Sequence, residues 1–123
     1  MTRKQKILIV EDTKSYLFII SQKLEEAGFL VVTAGDGEEG LDVAEKEKPD
    51  LILLDVEMPK MDGITMSKKL RESGEKTPII FLTNMGDLKH ISEAVEASAD
   101  YIIKSEVSSD EIVSRVKERL ATV

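Results

Sequence analysis

Five short apolar runs, each separated from the next by a segment of helical periodicity, restrict this chain to a narrow set of folds. The runs predict strands near 6–11, 29–34, 50–55, 78–83 and 100–104, and the segments between and after them predict helices near 14–27, 37–47, 62–73, 87–97 and 109–121. Such alternation is the mark of βαβ units in a mainly parallel sheet. Helix one sets Leu17, Ile20, Leu24 and Ala27 on one stripe and stops at Gly28, a residue suited to the position after a helix end. Helix two carries Leu41 and Ala44 and is stopped by Pro49. Helix four sets Leu88, Ile91 and Val95 on one face. Ser108-Ser109-Asp110-Glu111 opens the fifth helix as a capping box, ahead of Ile112, Val113, Val116 and Leu120. That helix runs to the end, so a stand-alone domain over 1–123 is expected, and a domain excised from a larger protein would read the same.

Right-handed crossovers between such units favour an α/β, doubly wound, five-stranded parallel sheet with five helices. The expected strand order is 2-1-3-4-5, a flavodoxin-like arrangement whose ligand crevice opens where strand order reverses, between strands one and three. Both of those strands end in carboxylates. Ile7-Leu8-Ile9-Val10 runs into Glu11-Asp12, and Leu51-Ile52-Leu53-Leu54 runs into Asp55. Three anions sharing one small volume repel one another unless a cation holds them. A hard divalent ion such as Mg²⁺ suits a set of oxygen donors.

Two further strand ends complete a phosphate-handling site. Strand four closes on Thr83, whose hydroxyl can donate to a phosphoryl oxygen, and strand five on Lys104, whose ammonium can pair with the same group. Phosphoryl transfer needs positioning and charge neutralisation more than elaborate acid–base work. Asp55 can attack as nucleophile and form an aspartyl phosphate, with Glu11 and Asp12 holding Mg²⁺.

Composition agrees. The net charge of −7 disfavours a nucleic-acid-binding surface. No Cys is present, which removes disulfide and thiolate-metal chemistry. The basic start Met1-Thr2-Arg3-Lys4-Gln5-Lys6 precedes only four apolar residues, so it reads as a first strand and not a signal peptide. No run approaches membrane-spanning length, and a soluble cytoplasmic protein is expected.

With Glu11-Asp12, Asp55, Met58-Pro59, Asp62-Gly63, Thr83, Tyr101 and Lys104 in this order, the whole chain resembles a response-regulator receiver domain. The resemblance implies that Asp55 accepts phosphate from a phosphohistidine on a histidine kinase or phosphotransfer protein. It implies that the Glu57 backbone carbonyl is a metal ligand beside Glu11, Asp12 and Asp55. It further implies a switch in which Thr83 moves toward the phosphoryl group and the Tyr101 ring turns inward. The face formed by helix four, strand five and helix five would then signal to a downstream protein. On this reading the domain catalyses only its own phosphorylation and dephosphorylation. Tyr16 and Ile19, one helical step apart and off the core stripe of helix one, read as a docking patch for the phosphodonor beside the acidic site.

The chain departs from the family pattern at several positions. Ser105 replaces the proline that usually follows the lysine. A cis bond before a non-proline residue costs roughly 3–4 kcal/mol, so Lys104–Ser105 is expected to be trans, with the loop re-routed between Ser105 and Ser108. Asn84 stands where a smaller residue is usual, Ser98 where glycine is common, and Gly40 lies inside helix two at a cost of about 1 kcal/mol relative to alanine. Asp62-Gly63 reads as a helix-start device, the methionines as packing, and His90 as an exposed helix residue and not a phosphodonor.

Rival functions are weaker. An aspartyl-nucleophile phosphatase could use Glu57 as its acid, but 123 residues leave no room for a substrate-selecting cap. A flavin carrier needs a hydroxyl- and glycine-rich phosphate cradle after strand one, where Glu11-Asp12 would repel phosphate. A phosphorylation-independent binding module stays open because of Ser105.

Overall fold

Each expected strand forms: β1 (Lys6–Val10), β2 (Leu30–Ala34), β3 (Leu51–Asp55), β4 (Ile79–Thr83) and β5 (Asp100–Ile103). All pair in parallel within one sheet of order β2-β1-β3-β4-β5. The computed structural model describes residues 3–84 and 100–121. Among these residues four helices pack on the sheet: α1 (Lys14–Glu26), α2 (Gly37–Glu47), α3 (Gly63–Glu72) and α4 (Ser109–Ala121). The helix expected over 87–97 lies outside the described residues, as do Met85, His90, Ser98 and that helix's share of the expected signalling face.

The inner strands β1, β3 and β4 are buried on both faces, as a parallel sheet between helical layers requires, whereas the edge strands β2 and β5 are partly exposed. Side chains alternate across a strand. Ile7, Ile9, Leu51, Leu53, Ile80, Leu82 and Ile102 therefore pack on one side, against Ile20 and Leu24 of α1 and Ile112 and Val116 of α4. Leu8, Val10, Ile52, Leu54, Ile79 and Phe81 pack on the other, against Ala44 of α2 and Met66 and Leu70 of α3.

Helix ends follow local chemistry. Asp36 and Asp62 accept hydrogen bonds from the N–H groups of Glu39 (2.9 Å) and Thr65 (2.7 Å), which caps α2 and α3. Asp62 is thus the helix-start device expected, and the cap at Asp36 is an addition. The Ser108 hydroxyl accepts from the Glu111 N–H at 3.2 Å and so caps α4. Gly28, with φ of 98°, follows α1 as expected. Lys48 ends α2 in a left-handed conformation (φ 47°), a role that no glycine in the sequence advertised.

Gly40 is explained by packing. A Cβ there would lie 2.7 Å from the Met66 Sδ and 3.1 Å from the Val10 Cγ1, so its absence lets α2 approach α3 and β1 closely. All described peptide bonds are trans, Lys104–Ser105 included.

Gly37 joins the β2–α2 turn to the loop after β3. Its N–H donates to the Met61 carbonyl at 3.2 Å, and a Cβ would overlap that same carbonyl and lie 2.9 Å from the Met61 Cβ. Because backbone would have to move, Gly37→Ala is expected to destabilise the fold by about 1–3 kcal/mol in urea unfolding, with an unchanged denaturant slope.

Candidate functional site

The carboxyl ends of the five parallel strands share one edge of the sheet, and the chemistry-bearing residues lie along it. Alternation carries the row Ile7-Ile9 on to Glu11, Leu51-Leu53 on to Asp55, and Ile102 on to Lys104, all toward the α1 layer. Thr83 ends the opposite row, Ile79-Phe81.

Glu11 (1% exposed) and Asp55 (4%) are buried, whereas Asp12 is exposed. One carboxylate oxygen from each of the three lies within 4.8 Å of the others. Lys104 enters from β5 with its Nζ 2.8 Å from the Glu11 Oε2 and 3.1 Å from the Asp55 Oδ1. The Glu11 Oε1 accepts from the Thr13 N–H at 3.1 Å, so the residue at the N-cap position of α1 fixes this carboxylate from its other side. The Lys104 N–H donates to the Thr83 carbonyl at 2.9 Å, which fixes the lysine's root against β4. The Thr83 hydroxyl, fully buried, donates to the Asn84 carbonyl at 2.8 Å.

Among the described residues Glu11 and Asp55 share one ammonium, and the imbalance registers on Asp55. Burial, and then the neighbouring Glu11 carboxylate, push its pKa up to about 7 against the opposing pull of Lys104. Burial alone would lower the Lys104 pKa, but Glu11 and Asp55 outweigh it, so the ammonium is held charged. An all-oxygen donor set with surplus negative charge, partly buried and partly open through Asp12, fits a hard divalent cation.

The loop beyond Asp55 is shaped by close backbone approach. The Val56 N–H donates to the Leu82 carbonyl (3.1 Å), and the Gly63 N–H to the Val56 carbonyl (2.9 Å). A Cβ on Gly63 would collide with the Asp55 carbonyl. Glu57 is an exposed residue of this loop.

Comparison with known proteins agrees with this geometry. The family model described as the response regulator receiver domain matches residues 7–117. The chain belongs to that family. As a receiver domain it is 42% identical, over 92% of its length, to the alkaline phosphatase synthesis transcriptional regulatory protein PhoP of Bacillus subtilis, of which it covers 47%. The chain thus spans about half the length of the curated relatives it matches. Among solved structures it is similar to the receiver domain of the Francisella response regulator 1452 (TM-score 0.86, 32% identity, covering 96% of this chain and 98% of that one). It is also similar to a CheY-like receiver domain protein from Methanospirillum hungatei (TM-score 0.87, 31% identity, covering 97% and 95%). The sheet order and acidic cluster are those of a two-component receiver domain, the signalling switch of response regulators. No described helix of this receiver is long and apolar enough to cross a membrane.

The residues singled out from sequence divide in two. Glu11, Asp12, Asp55 and Lys104 converge, with Thr83 joined to Lys104 through the backbone. Tyr101 stands apart on β5 and is 43% exposed. The expected docking pair separates. Ile19 is 49% exposed, but Tyr16 packs against the α1-side core with its hydroxyl buried. Its ring lies under Lys104, with the Nζ 4.9 Å from the ring centroid. Burial raises the Tyr16 pKa to about 12. Phe18, 63% exposed, was missed by sequence reasoning. Its place opposite the Leu17/Ile20/Leu24 stripe was the available signal.

A carboxyl with a folded pKa above its unfolded value gains protons on folding, so its contribution to stability falls as pH rises between about 4 and 7. Metal-free Asp55→Asn is therefore expected to melt above wild type, by more at about pH 8 than at about pH 5, with a gain of a few kcal/mol at most. Millimolar Mg²⁺ should narrow the gap. Thermal unfolding at both pH values, with and without the ion, checks this.

Proposed function

We propose that Asp55 is the phosphoacceptor of this receiver domain and that a histidine kinase or phosphotransfer protein supplies the phosphoryl group. The observation that carries the proposal is the convergence of Glu11, Asp12 and Asp55 on one volume with Lys104 reaching two of them. In the reaction an Asp55 carboxylate oxygen attacks phosphorus, the P–N bond to the donor imidazole breaks, and the leaving nitrogen takes a proton from water. Lys104 pairs with a phosphoryl oxygen as a point charge, and Thr83 turns its hydroxyl from the Asn84 carbonyl to another.

Glu11, Asp12, Asp55 and the Glu57 backbone carbonyl are the proposed holders of Mg²⁺, which when bound would neutralise charge on the carboxylates and on the transferring group. The domain is not a conventional enzyme, and on this proposal its own aspartate is its only substrate. Movement of Thr83, coupled to inward rotation of the Tyr101 ring, would convert the charge change into an altered surface around β5 and α4 for a downstream protein. The net charge of the chain, −7, favours a protein over nucleic acid as that target. The donor is proposed to dock on α1 at Ile19 and the accessible edge of Tyr16, with Phe18 beside them.

Incubation with acetyl phosphate should give a Mg²⁺-dependent adduct that is stable to acid and labile to base. Equal labelling of wild type and Asp55→Asn would sink the proposal, and Asp12→Asn should weaken Mg²⁺ binding and slow labelling. Docking is judged separately. Ile19→Ala is expected to slow transfer from a phosphohistidine protein while acetyl phosphate labelling persists, and equal slowing with both donors would remove Ile19 from the docking face.

A further inference from the structure

Lys104 is contested. Its ammonium lies closer to Glu11 (2.8 Å) than to Asp55 (3.1 Å), and a lysine head on a four-carbon stem has no intrinsic preference between two carboxylates. The phosphoryl group formed on Asp55 needs that ammonium on the Asp55 side. The third wall of its niche is the Tyr16 ring, 4.9 Å away at its centroid. Tyr16 lies in the first turn of α1 and packs on the core that holds Ile20 and Leu24, so the ring is anchored independently of the lysine. The Tyr16 hydroxyl is buried and has no hydrogen-bond partner among the described residues. Whatever Tyr16 contributes to the site therefore comes from its aromatic face.

We infer that the Tyr16 ring is a positioning residue for Lys104, holding the ammonium by cation–π contact between Glu11 and Asp55 so that it is in place when Asp55 is phosphorylated. The inference rests on the proposed role of Asp55, but the contact itself can be read without phosphorylation. An ammonium over a ring face is attracted by the ring quadrupole, more so when partly desolvated. With the ring removed, Lys104 is free to swing outward or settle on Glu11, and the transferring phosphoryl group loses a counter-charge. An aliphatic side chain of similar bulk preserves the core but not the quadrupole.

Three variants and two measurements test this. In the metal-free protein, NMR should show the Lys104 side-chain methylene protons shifted upfield by the ring. Tyr16→Phe should keep the shift, whereas Tyr16→Leu and Tyr16→Met should abolish it. With acetyl phosphate and Mg²⁺, the Leu and Met variants should label about fivefold more slowly, a loss on the order of 1 kcal/mol. The Phe variant should restore the wild-type rate. Should Tyr16→Leu not fold, Tyr16→Met with its more adaptable side chain carries the comparison. Wild-type labelling rates in folded Leu or Met variants would overturn the inference, as would an upfield shift retained without the ring. A Phe variant as slow as Met would transfer the effect to the hydroxyl and overturn it equally. If Asp55→Asn labels like wild type, the proposed function has failed instead, and the NMR arm still decides whether Tyr16 holds Lys104.

Discussion

One ammonium serving two buried carboxylates is the interaction on which the acidic site depends. Lys104 is paired with Glu11 and Asp55 across the top of the sheet. β3 lies two and β1 three strand spacings from β5, roughly 10 and 14 Å, a span that a long lysine side chain and the carboxylates facing it must bridge between them. Removing one member of a buried ion pair leaves an uncompensated charge, which is among the costlier defects a fold can carry. Here the pairing is also incomplete, because burial and the Glu11 carboxylate push Asp55 toward the protonated form, and the Asp12 carboxylate lies close by. The fold is built around a charge deficit, and a site in deficit is one that a cation can complete.

The deficit is held in place by backbone more than by side chains. The Thr13 N–H steadies Glu11, and the Lys104 N–H ties β5 to the Thr83 carbonyl. Gly63 lets α3 start almost on top of the Asp55 carbonyl, and Gly37 lets the β2–α2 turn press on Met61. Apart from the Glu11 side chain itself, these contacts are made by backbone groups, so the carboxylates sit on a rigid frame. Rigidity of this kind is what electrostatic stabilisation of a transferring group requires, since donors already aimed need no reorganisation.

Much of this was legible in the chain because it follows from local pattern. Apolar runs of strand length bounded by helical periodicity specify parallel pairing, and their last residues must fall on the edge where ligands bind. Glu11, Asp55 and Lys104 were therefore readable as neighbours although far apart in sequence. Other features were not readable, since each depends on what another element brings to it. Gly40 looked like a weak point in a helix, and only the approach of Met66 and Val10 explains it. Lys48 carried no sign of its left-handed backbone, which is set by the exit of α2 toward β3. Tyr16 and Ile19 both read as lying off the core stripe of α1, yet one lies half-buried beneath Lys104 and the other faces out.

The sequence by itself determined the parallel sheet, its order and the identity of the groups at its carboxyl edge. Periodicity of two and of 3.6 residues is a property of the chain, and burial of apolar rows follows from it. Only the tertiary structure decided which carboxylate lies closer to the ammonium, which aromatic face lies beneath it, and which glycines are spacers and which are turns. Those outcomes are differences of an ångström or less between elements that meet from separate parts of the chain. Electrostatic and packing energies change steeply over such distances, and pattern alone carries no information at that scale.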